Sequence, residues 1–455
     1  ERKRMAVLVR GAAGELAVHV KGSVESVLPL CSRYRDVEGE RPLTQKDCQA
    51  IEREVERMSA TALRVLLLAR KPGSGERIDE SDLTFLGLVG MLDPPRPGVP
   101  EAVAACHQAG VAVVMITGDH PGTATAIARE IGLLKPGDEI LTGTALAGLS
   151  DDELRARCVH TRVFARTTAA QKLHIVRAFQ KSGHVVAMTG DGVNDAPALR
   201  EAHVGIAMGR DGTEVARQAA DVILTDDQFV TIVAGIREGR AIYHNIQKFI
   251  VYLLSSNVAL ALAVFGTQFS TEALPLTALM ILWINLVTNG LPALALGIEP
   301  PDPAQMRAAP RQLVNQLFTR IDYLGIGLAG LVMGLLALGL YTAPQWTLLV
   351  DPHKARTLAF AVLGFAPLFH VWNCRSRDRS LVAQRPLFSL PLIGAALLSG
   401  VIHLTSLAVP FLRPIFHTYP LALMDWLVVV VLSSSIIPAI ELSKLLGRRL
   451  LRAGS

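Results

Sequence analysis

The chain has 455 residues, half of them apolar and 19% charged, with a formal net charge of +5. That small excess gathers beside long apolar runs, which excludes nucleic-acid binding as its main purpose and reads as membrane topology. Five cysteines without a CxxC pair exclude a disulfide framework or a zinc site, and read as reduced cytosolic thiols.

Up to about Arg240 charges are frequent and apolar runs are short; after Ile246 come apolar stretches near the ~20 residues that cross a bilayer. No apolar signal sequence opens the chain and its first residue is Glu, so it is expected to be part of a longer chain. Residues 1–85 predict strands at Met5–Val9 and Leu16–Val20, a helix over Gln45–Leu68 and a turn at Lys71-Pro-Gly-Ser-Gly. Residues 86–235 alternate strand and helix. Strands are expected at Val111–Ile116, Arg162–Ala165, His184–Met188, Val204–Ala207 and Asp221–Leu224. Helices are expected at Pro121–Ile131, Thr168–Lys181, Ala196–Ala202 and Thr213–Ala220. This alternation predicts a single parallel sheet covered on both faces, with ligands at the C-terminal strand ends. Thr117-Gly118-Asp119 and Thr189-Gly190-Asp191-Gly192 fall at two such ends. Small residues let the backbone turn sharply and bring N–H groups to an anion, and an Asp there can bind Mg2+.

The rest, 236–455, predicts six spans, at roughly 246–266, 275–296, 322–342, 356–373, 387–409 and 421–441. Basic residues follow the second span (Arg307, Arg311, Arg320), the fourth (Arg375, Arg377, Arg379, Arg385) and the sixth (Lys444, Arg448, Arg449, Arg452). The alternate loops carry fewer, chiefly Lys354, Arg356 and Arg413, so the soluble part and the C-terminus are expected on the cytoplasmic side. Asp226 to Phe265 is expected to be nearly continuous helix, a rod that can carry movement into the membrane part.

Met188-Thr-Gly-Asp-Gly-Val-Asn-Asp-Ala-Pro-Ala-Leu199 resembles the hinge motif of P-type ATPases, members of the haloacid-dehalogenase-like (HAD-like) superfamily. Asp191 ends a strand and Asp195 lies one turn on, so both carboxylates can face one Mg2+, while Asn194 can donate to a phosphoryl oxygen. Other resemblances follow in family order: Asp93-Pro-Pro-Arg96, the Thr117-Gly118-Asp119 phosphoryl-contact motif, and Phe164-Ala165-Arg166 with Lys172, the Lys implied to neutralise the transferred phosphate. Lys21-Gly22 resembles a segment lining the adenine pocket, with Ser23 in place of the usual Ala, and Leu63-Arg64-Val65 resembles one whose Arg contacts nucleotide phosphates. The resemblance thus implies Mg2+ and ATP as cofactors. It assigns Thr117, Gly118, Asp119, Lys172, Asp191, Asn194 and Asp195 to catalysis, and Lys21, Gly22, Arg64 and Arg166 to nucleotide. The implied fold is an α/β HAD-like phosphorylation domain with a Rossmann-type parallel sheet, over 86–235. Before it comes part of an α+β nucleotide-binding domain, over 1–85, and after it an all-α bundle of six transmembrane helices, over 236–455.

The segment Asn245–Asn257 and Leu282-Trp-Ile-Asn-Leu-Val-Thr-Asn-Gly-Leu-Pro-Ala293 resemble the fifth and sixth membrane helices of the type II, calcium-pump group. Three departures qualify this. The family's phosphorylated Asp in DKTGT and the TGE loop are absent, so an actuator domain and four membrane helices are expected upstream and the chain alone is expected to be inactive. The acidic ion ligands of calcium pumps are matched by Leu260, Asn289 and, more loosely, Pro367. What remains is Asn257, Asn285, Thr288 and Asn289, with Asn285 and Asn289 expected on one helix face and Gly290 and Pro292 able to unwind that helix. The competing reading makes these Asn residues helix-to-helix hydrogen bonds. A carboxylate-poor site implies at most one ion there. Calcium is expected; the alternatives are Mn2+, Na+, K+ or H+, or a non-catalytic pump-derived membrane protein. A membrane-tethered phosphatase would need its own nucleophile, and Asp93 lacks a DxD or DxT context. The expected setting is a prokaryotic plasma membrane.

Overall fold

The computed structural model describes residues 3–453 except 12–13, 38, 62, 74–77, 92–93, 269–274, 311–316, 348–350, 377–379 and 382–388, and gives only the backbone of 343–347 and 446–453. Asp93, Arg311, Arg377, Arg379 and Arg385 therefore lie outside the described residues, as do the side chains of Arg448, Arg449 and Arg452. Residues Glu1–Gly235 with Met306–Val314 form one compact unit, and Ile236–Gln305 with Asn315–Ser455 a second.

In the first unit, β1 (Arg4–Arg10), β2 (Leu16–Gly22), β3 (Cys31–Arg35), β4 (Glu40–Pro42), β5 (Arg64–Pro72) and β6 (Leu83–Met91) build a mixed sheet in the order β1-β2-β5-β6-β3-β4. Only the β3–β6 pairing is parallel. Val18, Val20, Leu67 and Ala69 alternate along their strands with less buried neighbours, and with Leu83, Phe85 and Ile51 of the helix Gln45–Ala60 they bury one face. That helix starts in a reciprocal cap: Asp47 N–H donates to Thr44 Oγ1 at 3.3 Å and Thr44 N–H to Asp47 Oδ2 at 2.9 Å. It stops at Ala60, so the expectation of helix to Leu68 is corrected. Arg64–Leu68 is strand because β6 pairs with all of it and β2 joins on the other side at Leu67 and Leu68, and its inward Leu67 and Ala69 follow a period of two.

The same unit holds β7 (Met115–Ile116), β8 (Glu139–Thr142), β9 (Thr161–Ala165), β10 (Ala187–Gly190), β11 (Val204–Met208) and β12 (Val222–Leu224). The parallel pairing is as expected, but the single sheet is not: β7-β9-β8 and β10-β11-β12 are two separate three-stranded sheets. Among the described residues no strand bridges β7 and β10, so each is paired on one side only. Four expected helices form, at Pro121–Glu130, Ala169–Lys181, Ala196–Glu201 and Glu214–Ala219. Strand β8, short and half polar, was not anticipated.

Among the described residues six helices are long and apolar enough to cross a membrane: Phe229–Thr267, Ala278–Gly297, Arg320–Thr342, Pro352–Cys374, Leu390–Ala408 and Leu423–Leu445. The first has 39 residues, roughly 58 Å at 1.5 Å per residue. It begins in the first unit and continues in the second. Pro352–Cys374 is the central helix, with 83% of its apolar window buried against 22–44% for the others. Small residues such as Ala359, Ala361 and Gly364 let neighbours approach closely. A Cβ at Gly364 would stand 2.0 Å from His403 Nε2 on Leu390–Ala408, so only glycine fits there.

Candidate functional site

A cleft of about 440 Å³ in the first unit is lined by Ile116 of β7, by Met188, Thr189 and Gly190 of β10, and by Lys172, Asp191 and Asp195. It therefore lies between the unpaired edges of the two parallel sheets. Its polar groups are positioned locally. Thr168 caps the helix carrying Lys172, with Gln171 N–H donating to Thr168 Oγ1 at 3.4 Å and Thr168 N–H to Gln171 Oε1 at 3.0 Å. Lys172 Nζ donates to Asp195 Oδ1 at 2.5 Å, and Gly192 N–H to Asp195 Oδ2 at 3.2 Å. Asp195 is 5% exposed, whereas Asp191 and Asn194 are open to solvent. A Cβ at Gly190 would come within 2.5 Å of Asp195 Cβ, so glycine lets the loop fold back over that carboxylate.

At the end of β7, Thr117 Oγ1 donates to Asp119 Oδ2 at 3.0 Å and receives Asp119 N–H at 3.1 Å. Thr117 N–H donates to Phe164 O at 2.9 Å, and the N–H groups of Thr167 and Arg166 donate to Thr117 O and Asp119 O, each at 3.1 Å. The turn is thus tied to the end of β9. The structure brings Lys172, Asp191 and Asp195 to one cleft, next to the strand that leads into Thr117. Chemically this is a cation facing two oxygen-rich carboxylates. Among the described residues no group of three or more His, Cys, Asp or Glu side chains could hold a metal, so a hard cation here would take oxygens from a second ligand.

Lys21 and Arg64 are both exposed. Lys21 pairs with Leu68, four residues after Arg64 on β5, so the two face one side of the sheet roughly 13 Å apart. Gly22 has a packing reason: a Cβ would lie 2.6 Å from Arg4 Cβ. Arg166 adopts φ 52° and donates to Glu25 Oε1 at 2.5 Å. Burial acts to raise the Glu25 carboxyl, but its own backbone N–H, the Arg166 guanidinium, Ser23 and His120 outweigh this and hold it below its ordinary range. Sequence reasoning missed Glu25; a lone acidic residue on a short helix carries no signal until its partner, far along the chain, is placed beside it.

In the second unit the helix Ala278–Trp283 gives way to a π-helical turn, Ile284–Thr288, before Gly290–Gly297. Asn289 N–H donates five residues back, to Ile284 O at 2.9 Å. Pro292 has no N–H for the carbonyl of Thr288. Thr288 and Asn289 are fully buried; Tyr252 Oη donates to Asn289 Oδ1 at 3.1 Å, and among the described residues Thr288 Oγ1 and Asn289 Nδ2 have no hydrogen-bond partner. Asn257 and Asn285 are exposed. The π-helical turn lies between Asn285 and Asn289, and their surroundings differ, Asn285 being exposed and Asn289 enclosed. Tyr252 was missed because an aromatic on an apolar helix reads as core.

Residues 1–98 match the family profile described as P-type ATPase, cytoplasmic domain N, and 273–446 the one described as Cation transporting ATPase, C-terminus. A "Calcium-transporting ATPase" of Bacillus subtilis is 40% identical over 440 residues, covering 95% of this chain and 49% of that protein. A "Probable cation-transporting ATPase F" of Mycobacterium tuberculosis is 38% identical over 461 residues, 98% of this chain and 50% of the other. The "Calcium-transporting ATPase 4, endoplasmic reticulum-type" of Arabidopsis thaliana is 34% identical over 529 residues, with 98% and 50% covered. The chain spans about half the length of the curated relatives it matches. With its six apolar helices it is an integral membrane protein, and it belongs to the P-type cation-transporting ATPases.

Proposed function

We propose that this chain is the portion of an ATP-driven cation pump that contains the phosphate-handling cleft and six of its membrane helices, and that the ion is Ca2+. The carrying observation is the pairing of Lys172 with buried Asp195 in the cleft that Asp191 also lines. The relatives' names supply the ion. The domains are 1–85 for nucleotide, 86–235 for the HAD-like phosphorylation domain and 236–455 for the stalk and membrane bundle. The cleft between the edges of β7 and β10 is open to a further parallel strand, which on this reading carries the phosphorylated Asp.

Asp191 and Asp195 suit Mg2+, which prefers one or two carboxylates and completes its shell with phosphate oxygens and water. When bound, it supplies charge neutralisation at the phosphoryl group. The chain's own residues do the rest. Lys172 adds a second positive charge, held in direction by Asp195. The backbone N–H of Gly118 stands at the end of β7 to donate to phosphoryl oxygens, and the Thr117 hydroxyl joins it once its proton leaves Asp119. Asn194, exposed beside Asp191, is free to orient the same group. Lys21, Gly22 and Arg64 on the six-stranded sheet take the nucleotide, together with Arg166 once it leaves Glu25. Thr288 and Asn289 supply buried oxygens to the transported cation, and Asn257 and Asn285 add theirs when further membrane helices cover them. The basic loops set the soluble unit and the C-terminus on the cytoplasmic side.

The test is ion-stimulated ATP hydrolysis and acid-stable phosphorylation by the full-length pump. Ca2+ is expected to stimulate both, and Asp191→Ala to abolish phosphorylation. Hydrolysis indifferent to Ca2+, Mn2+, Na+, K+ and H+ overturns the reading.

A further inference from the structure

Beyond the cleft and the ion-bearing turn, the second unit holds a buried cluster of charges that neither uses. Glu299 follows the helix Gly290–Gly297 and its side chain is 6% exposed. Its Oε2 accepts from Lys248 Nζ at 2.8 Å and its Oε1 from Arg375 Nε at 2.6 Å. Lys248 Nζ also donates to Asn245 Oδ1 at 3.0 Å, and Asn245 Nδ2 donates to Glu299 O at 2.7 Å and Gly297 O at 3.3 Å. Lys248, Arg375 and Asn245 are themselves mostly buried. Charges taken out of water are costly unless paired and hydrogen-bonded, so this cluster holds its geometry tightly.

The geometry is specific. Asn245, Lys248 and Tyr252 recur at helical spacing, so they lie on one face of the long helix Phe229–Thr267. Tyr252 grips Asn289, just before the first residue of Gly290–Gly297, while Asn245 and Lys248 grip Gly297 and Glu299 at its end. Asn245 also satisfies carbonyls that a helix C-terminus leaves open. The short helix is thus fastened to the long one at both ends. On its other side it meets Ala278–Trp283 through the π-helical turn, a break that can change shape without moving the rest. Arg375, at the end of Pro352–Cys374, draws a third helix to the same carboxylate.

We propose that Glu299 is a positioning residue that makes Gly290–Gly297 move with the long helix, so that displacement of that helix alters the surroundings of Thr288 and Asn289 and with them the affinity for the transported cation. This rests on the cation-pump reading above and adds to it the residue that transmits the motion. The carboxylate does not touch the ion; it acts through Lys248 and the backbone that Asn245 holds.

The test uses the full-length pump with Glu299→Gln, Glu299→Asp, Lys248→Met and the double variant Lys248→Met/Glu299→Gln. The readouts are the Ca2+ concentration for half-maximal ATPase activation, the affinity for nucleotide, and the amount of folded protein in detergent. Glu299→Gln is expected to raise the half-activating concentration by roughly 5- to 150-fold, the range of coupled sites, with nucleotide affinity unchanged. Glu299→Asp, which keeps the charge, is expected to recover most of the shift, and the double variant to be no worse than Glu299→Gln. An unshifted half-activating concentration in folded Glu299→Gln overturns the proposal. So does a loss of folded protein in every variant with no shift in those molecules that remain, which is the behaviour of a simple brace. If Glu299→Gln does not fold, Lys248→Met, which keeps the Glu299–Arg375 pair, decides by the same shift. A wild-type pump without ion stimulation is a separate result: it removes the pump reading, and this proposal with it.

Discussion

Replacing Lys172 with Met tests whether the cleft is built around its charge. The substitution keeps the apolar stem and removes the ammonium that Asp195 accepts at 2.5 Å. Asp195 then keeps the Gly192 N–H, at 3.2 Å, and stays in a pocket where its side chain is 7% exposed. Breaking a buried pair from one side costs about 3–5 kcal/mol. Lys172 is 17% exposed, so water reaches its end of the pair; the discounted cost is about 2–3 kcal/mol. At ~1.4 kcal/mol per tenfold, that is roughly a 30- to 150-fold loss of protection against local opening. The assay is amide hydrogen exchange of the detergent-solubilised chain, followed in peptides spanning Ala187–Leu199. Lys181→Met is the control. Its pair with Asp151, at 3.3 Å, is more than half exposed on both sides, and its loss should leave those peptides unchanged. Equal protection in Lys172→Met and the wild type would refute the idea that this cation organises the loop.

Glu25→Gln should flatten the acid dependence of the Arg166 contact. Because the folded Glu25 carboxyl lies below its ordinary value of 4.5, the contact contributes fully above that pH and is lost as pH falls through the lower folded value; exchange in peptides over Ser23–Leu30, measured from pH 6 down to 3, reads this. In the full-length pump, Asn289→Leu should abolish ion-stimulated hydrolysis while nucleotide binding near Lys21 persists, and Asn289→Asp should strengthen divalent binding and make it more pH-dependent, since the new carboxylate must deprotonate to bind. Normal ion activation in the Leu variant would reduce Asn289 to a partner of Tyr252. A tag after Ser455 should be inaccessible from outside intact cells; labelling there would invert the topology.

The sequence by itself determined the elements whose cause is local. Six apolar runs of bilayer length, the capped helix carrying Lys172 and the Gly-Asp turn after β10 all follow from spacing and side-chain type, and the structure forms each of them. Tertiary structure decided what depends on pairing across distance. Arg64–Leu68 became strand because β6 paired with its whole length and β2 with its last two residues, and the expected parallel sheet became two because no described strand joins β7 to β10. Which of Asn285 and Asn289 is enclosed was also decided by packing: Asn289 lies against Tyr252 of the long helix, while Asn285 is exposed. Glu299 was invisible in sequence for the same reason: a single Glu beyond an apolar run looks like a solvated helix end. Only the convergence of Lys248, 51 residues before it, and Arg375, 76 after it, makes it a buried charge that must be paired.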